Sequence, residues 1–137
     1  MMWLNPYLMF NGQCETAFEF YEKCLLGKIV VMMRYADTPM AEQMPPEWGQ
    51  KIIHATLICG DHRLQGADVP PANYLKPQGF SVLLNLDTAA EADRIFATLA
   101  EKGVEEIPVQ ETFWALRFGT LIDQFGTPWL IQCGKPA

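Results

Sequence analysis

The chain contains a diffuse copy of itself. A slide of 76 positions sets Leu8, Phe10, Glu15, Phe20 and Gly27 on Leu84, Leu86, Glu91, Phe96 and Gly103. Each copy reads as a strand, a short linker, an amphipathic helix, a glycine and further strands. A repeat of this kind is one supersecondary unit used twice, because a single copy cannot bury its apolar face alone. The expected fold class is therefore α+β: two βαβββ modules of mixed, mostly antiparallel sheet. Two curved sheets side by side enclose a cup, and a cup suits a small molecule.

Alternation and turn chemistry place the elements. Over residues 4–10, Leu4, Pro6, Leu8 and Phe10 point one way, and Asn5, Tyr7 and Met9 the other, as in a half-buried strand. Ala17, Phe18, Tyr21, Cys24 and Leu25 form one face of a helix over 14–25, with Gly27 as its stop. A strand is expected at 29–35, a proline-containing loop at 37–49, and strands at 52–59 and 63–67 joined around Gly60-Asp61. The second copy gives a strand at 80–86, a Thr88/Glu91 capping box, a helix to about Lys102 ended by Gly103, and strands near 104–110, 114–122 and 128–133. The modules are 1–68 and 79–137, with 69–78 as connector. If the helices cover Leu8 and Phe10 in one half and Val82 and Leu84 in the other, then Asn5, Tyr7, Ser81 and Asn85 face the open side.

Composition narrows the partners. Half the residues are hydrophobic and 19% charged, which suits a packed core. A net charge of −6 repels phosphate backbones, so nucleic acid is not the expected partner, and a neutral or cationic ligand suits the surface better. No apolar run approaches the ~20 residues that span a bilayer. The N-terminus does not read as a signal peptide, and Cys14, Cys24, Cys59 and Cys133 lack CxxC spacing; the expected setting is cytoplasmic, with buried thiols.

Several stretches resemble the vicinal oxygen chelate superfamily of glyoxalases, bleomycin-resistance proteins and extradiol dioxygenases, and within it the PhnB-like branch. They are Pro6-Tyr7-Leu8 with Cys14-Glu15 and Phe20-Tyr21; Arg34 to Pro39; Lys51 to Ala55; Gln110 to Trp114 with Arg117-Phe118-Gly119; and Asp123 to Trp129. Ala115 departs from the pattern, where a glycine usually follows the tryptophan. The resemblance implies a glyoxalase-like cup and a homodimer. The branch is often labelled 3-demethylubiquinone 3-methyltransferase, but the chain has no GxGxG turn for a cofactor, and its element order does not suit a doubly wound parallel sheet. No cofactor is expected.

The resemblance also locates a metal site. Metal enzymes of the superfamily hold a divalent ion with His and Glu from the first and last strand of each half, and the matching positions are Asn5, Gln65, Ser81 and Leu130. None supplies an imidazole, thiolate or carboxylate, so no metal is expected there. His54, Cys59 and His62 have metal-like spacing, but His54 and Cys59 fall on opposite faces of a strand and His62 on a turn.

Two ionisable groups are candidates for catalysis. His54, beside Thr56, is either an acid-base group at the open face or a histidine hydrogen-bonded within the sheet. Glu111, next to Thr112-Phe113-Trp114, is either a general base against aromatic walls or a structural carboxylate. Trp114 is expected to wall the ligand, and Trp129 to fill core. Arg34 and Asp37 are near enough in sequence to pair. The expected function is metal-independent small-molecule binding, with lyase or isomerase chemistry through His54 or Glu111; the ligand contacts are Asn5, Tyr7, Gln65, Ser81, Asn85 and Trp114. A sequestering protein of the drug-resistance type is the alternative, and a metal-dependent glyoxalase or dioxygenase is disfavoured by the four mapped positions.

Overall fold

A computed structural model describes residues 1–136. They form two compact units, Met1–Leu75 and the chain from Lys76 onward. The first contains β1 (Tyr7–Phe10), α1 (Cys14–Leu25), β2 (Lys28–Arg34), β3 (Ile52–Cys59) and β4 (His62–Asp68). The second contains β5 (Val82–Asn85), α2 (Ala89–Leu99), β6 (Val104–Gln110), β7 (Ala115–Ile122) and β8 (Pro128–Gly134). The sheet orders are β1-β4-β3-β2 and β5-β8-β7-β6. In each, the first strand lies parallel to the last and the other pairs are antiparallel. Each unit is thus one βαβββ module in a four-stranded mixed sheet. Among the described residues no helix is long and apolar enough to cross a membrane.

The repeat survives in detail. β2 and β6 start 76 residues apart, and their first register shifts, between Ile29 and Val31 and between Glu105 and Ile107, stand at the same offset. The helix ends also match, though not as the glycines suggest. The left-handed residues are Leu26 (φ 54°) and Lys102 (φ 58°). Gly27 and Gly103 are needed for space instead: a Cβ on Gly27 would lie 2.7 Å from the Ile58 carbonyl oxygen, and one on Gly103 2.4 Å from that of Ile122. They let the chain leaving each helix run against the third strand of its sheet. α2 itself ends at Leu99, short of the expected Lys102, and a tight turn carries the chain to β6.

Each helix buries one stripe on one sheet face. α1 contributes Cys14, Ala17, Phe18, Tyr21 and Cys24, packed on β3 and β4. Phe10, Phe18 and Tyr21 form a ring cluster with centroids 6.0–6.4 Å apart. α2 contributes Ala92, Ile95, Phe96 and Leu99, and packs on β7 and β8, whose inward residues include Leu121, Trp129, Ile131 and Cys133. All four cysteines are free thiols.

The two helix starts are secured differently. Thr88 Oγ accepts from the Glu91 amide (3.1 Å), the local cap its sequence predicts. α1 follows Gln13, which offers no side-chain cap. Its cap comes from β4: Asp68 Oδ1 accepts from the Cys14 amide (2.9 Å), and Oδ2 accepts from the Ile52 amide at the start of β3 (2.9 Å). The Asp68 carbonyl accepts from the Tyr35 hydroxyl (2.8 Å). Asp68, assigned from sequence to the edge of a connector, is 1% exposed and joins three segments.

Other expectations shift locally. β1 begins at Tyr7 rather than Leu4, because Pro6 has no amide to offer; its carbonyl accepts from the Gln65 amide (3.2 Å). β5 begins at Val82, and Phe80 is exposed. The loop over 37–49 is shaped by 3-10 turns at Tyr35–Asp37, Pro39–Gln43 and Pro46–Trp48, with Trp48 tilted against Tyr35. Arg34 does not pair with Asp37. Its guanidinium forks onto Glu15 of α1 (3.1 and 2.6 Å), which holds that carboxyl below its usual range. In the second unit Arg117 of β7 pairs with Asp93 of α2 (2.9 Å).

Asp68→Ala removes a charged acceptor from two buried amides and should cost about 2–4 kcal/mol in urea unfolding. Thr88→Ala should cost about 1 kcal/mol. Equal losses would show that the Asp68 contacts carry no special weight.

Candidate functional site on the open face of the first sheet

α1 covers one face of the first sheet so tightly that a Cβ on Gly66 would lie 2.9 Å from the Phe18 ring. Side chains alternate along a strand, so Gln65 of β4 faces away from the helix. The strand register extends this into a row: Tyr7 opposes Gln65, Gln65 opposes Thr56, and Thr56 opposes Val31. His54 precedes Thr56 by two residues, on the same face, and opposes Met33.

Hydrogen bonds join four of these side chains. The Tyr7 hydroxyl lies 3.2 Å from His54 Nδ1, His54 Nε2 lies 3.3 Å from Thr56 Oγ1, and Gln65 Nε2 donates to the same oxygen at 3.3 Å. The Tyr7 and His54 rings also stack, with centroids 5.9 Å apart and planes 20° from parallel. Thr56 is 3% exposed beneath this layer, whereas Tyr7 is 44% exposed at its rim. The imidazole is held at both nitrogens, and two arrangements of protons satisfy the chain. Either Tyr7 donates to Nδ1 and Nε2–H donates to Thr56, or Thr56 donates to Nε2 and Nδ1–H donates to Tyr7. The second leaves the Tyr7 hydroxyl proton pointing outward. Partial burial pushes the Tyr7 phenol above its ordinary range. It is therefore a neutral hydrogen-bonding group at physiological pH.

The second unit repeats the row without its polarity. Leu83 opposes Leu130, Leu130 opposes Thr120, and Thr120 opposes Ile107. Counting along both registers sets Leu83 at the place of Tyr7, Leu130 at that of Gln65, Thr120 at that of Thr56, and Phe118 at that of His54. On the same face Gln132 donates to Asn85 (2.7 Å). Trp114 is 48% exposed just ahead of β7, with its ring against Phe113 and Phe118.

The remaining expected residues fall as follows. Asn5 is half-buried ahead of β1, and Ser81 is exposed ahead of β5. Glu111 lies beyond β6 with its side chain 60% exposed, and pairs with Lys135 at 3.3 Å. Trp129 is core; its indole N–H donates to buried Asp123 (2.9 Å). His62 is exposed opposite Cys59 across the hairpin, with Cys59 Sγ against Gly27 rather than near His54. Gln132 carries no local signal in the sequence, and nothing near Tyr7 or His54 announces their contact. The one local signal was the His54-x-Thr56 spacing, which puts both on one strand face.

The superfamily metal does not fit the mapped positions. Asn5, Gln65, Ser81 and Leu130 offer two neutral amides, a hydroxyl and an alkyl group, a donor set without the imidazoles and carboxylates a divalent transition metal takes. Among the described residues no three His, Cys, Asp or Glu side chains come together as metal ligands.

Comparison with known proteins now decides the family. Residues 3–131 match the Glyoxalase/Bleomycin resistance protein/Dioxygenase superfamily. The chain belongs to this superfamily. It is 31% identical to the Escherichia coli protein YjdN, over 96% of this chain and 95% of YjdN. The Pseudomonas aeruginosa protein PA1353 superposes with a TM-score of 0.90 at 39% identity, covering 99% of this chain and all of that one. A Bacillus cereus PhnB protein that bears the name 3-demethylubiquinone-9 3-methyltransferase superposes at 0.81 with 25% identity, covering 97% of this chain and all of that one. The superfamily fold and the PhnB-like resemblance are thereby shown.

The Tyr7 environment is testable by pH. The phenol is raised in the folded chain, so its contribution to stability is complete below the ordinary tyrosine pKa of about 10 and is lost as pH rises through the folded value. In a ring-labelled NMR titration, Tyr7 should still be mostly protonated at a pH of about 10, where a free tyrosine is half ionised. A Tyr7 midpoint at or below that value would contradict the partly desolvated, hydrogen-bonded placement.

Proposed function

We propose that this superfamily member binds a small molecule at the open face of the first sheet and moves a proton on it through His54, without the superfamily's metal. The observation that carries the reading is the Tyr7–His54–Thr56–Gln65 chain, which holds an imidazole at both nitrogens beside a half-exposed phenol. Thr56 and Gln65 fix the ring plane. His54 is the acid-base group, with a ring nitrogen that accepts a proton and another that gives one. Tyr7 meets the ligand as a neutral donor and is the first group displaced when a ligand approaches Nδ1. Asn5 is a further contact in this unit; Ser81, Asn85 and Trp114 are proposed as ligand contacts on the second unit's own open face. Glu111 is left outside the chemistry because Lys135 already pairs it at the surface. The reaction class is an isomerase, in which His54 takes a proton from one atom and returns it to another, or a lyase, in which His54 takes a proton as the leaving group departs with its bonding pair and then gives that proton to the leaving group.

A sequestering role is the second reading. It is favoured by exposed Phe113 and Trp114 beside half-buried Phe118, which would hold a flat drug without chemistry. Thermal-shift screening with neutral and cationic small molecules finds ligands for either role, because binding to the native state raises the melting point. For a ligand that is turned over, His54→Ala should lower kcat by about 10²–10⁴ while chelators leave it unchanged. Full activity in His54→Ala, or loss of activity on chelation, would overturn the first reading. Binding without turnover would select the second.

The proposal includes a cytoplasmic homodimer. Four free thiols suit a reducing compartment, and twofold assembly is the commonest oligomeric state. Light scattering should give twice the chain mass of 15.5 kDa; a monomer mass at micromolar concentration would refute the dimer.

A further inference from the structure

We infer that the open face of the second sheet carries a subsite for a neutral planar heterocycle that presents a hydrogen-bond donor and an acceptor side by side, as a lactam does. The inference does not depend on the chemistry proposed for His54.

α2 fills the other face of this sheet: a Cβ on Gly119 would lie 2.8 Å from the Phe96 ring, so Phe118 faces away from the helix. Register then builds a row of four on the open face. Asn85 opposes Gln132, Gln132 opposes Phe118, and Phe118 opposes Gln110. The row joins two kinds of recognition.

One is a carboxamide clamp. Gln132 Nε2 donates to Asn85 Oδ1 at 2.7 Å on the exposed surface. That bond uses one N–H of Gln132 and one acceptor of Asn85. The Gln132 oxygen and the Asn85 amino group remain as an acceptor and a donor from one linked pair. Rotating both amides exchanges their roles and still leaves one of each. Such an edge matches the N–H and C=O of a cyclic amide.

The other is an aromatic wall. Phe118 stands next to the clamp, and the Trp114 ring lies 5.2 Å from it, inclined by 69°. Trp114 is 48% and Phe113 89% exposed, so this wall offers open ring surface. A flat ring resting on it would bring its polar edge to the amides.

The repeat shows that the fold does not require this arrangement. The equivalent positions in the first unit are Met9, Ala67 and His54, where no amide pair stands. Nearby charges are engaged elsewhere: Arg117 with Asp93, and Lys135 with Glu111. The clamp offers no free charge, which favours a neutral ligand.

Isoquinolin-1(2H)-one and its N-methyl derivative test this directly. They share the ring system, but only the first presents a lactam N–H. Tryptophan fluorescence and amide NMR shifts should show the first binding the wild-type protein about tenfold more tightly. Gln132→Leu should bring the two affinities together. Trp114→Ala should weaken both by about fivefold or more, with an unchanged melting temperature showing that the surface variant folds. Failure of isoquinolin-1(2H)-one to bind at about 5 mM, equal affinity of the two compounds in the wild type, or a preference that persists in Gln132→Leu would overturn the subsite.

Discussion

The first unit depends on a carboxylate that its own sequence neighbourhood does not explain. Asp68 ends β4, yet its two oxygens take the first amide of α1 and the first amide of β3. A buried carboxylate is costly unless donors surround it, so this one constrains every segment that supplies a donor. By fixing where β3 begins beside β4, it fixes which residues stand opposite. Thr56 meets Gln65, and His54 follows on the same face. The candidate chemistry at the open surface is positioned by a charge on the buried side.

The second unit reaches the same topology by other means. Its helix is capped locally by Thr88. Its buried carboxylate, Asp123, secures the β7–β8 turn by accepting from the Phe125 and Thr127 amides and from Trp129. Duplication therefore preserved the strand order, the tight glycines after each helix and the bulged second strand, while the stabilising polar contacts diverged. The same separation holds on the open faces. Tyr7, Gln65 and His54 in one unit stand where Leu83, Leu130 and Phe118 stand in the other, with threonine kept at Thr56 and Thr120. A scaffold whose helix-covered face supplies most of its stability leaves the opposite face free to vary.

What the sequence made legible follows from this division. Period-two and helical patterns are local, so the strands, the helices and the Thr88 cap could be read directly. The 76-residue offset carried the first half of one module onto the other because helix and second strand tolerate no insertion between them. The contacts that make a site are not local. Asp68 and Cys14 are separated by most of the module, and nothing near either announces the partner. Arg34 has Asp37 close in sequence but reaches Glu15, because β2 runs alongside α1 and the helix presents that carboxylate in a forked geometry. Tyr7 and His54 each looked like a pocket residue, but their contact depends on β1 lying parallel to β4. Glu111 reads from its aromatic neighbours either as a general base or as a structural carboxylate, and the fold sets it beside Lys135.

The central claim is that His54 is held at both ring nitrogens by its neighbours on an open sheet face. Nitrogen-15 NMR of the two histidine rings tests it most directly, since exposed His62 is an internal reference. The account predicts a ring N–H of His54 that exchanges slowly with water near neutral pH and becomes fast in Thr56→Val or Tyr7→Phe, with His62 fast throughout. A His54 ring proton exchanging as fast as that of His62 in the wild-type protein would contradict it.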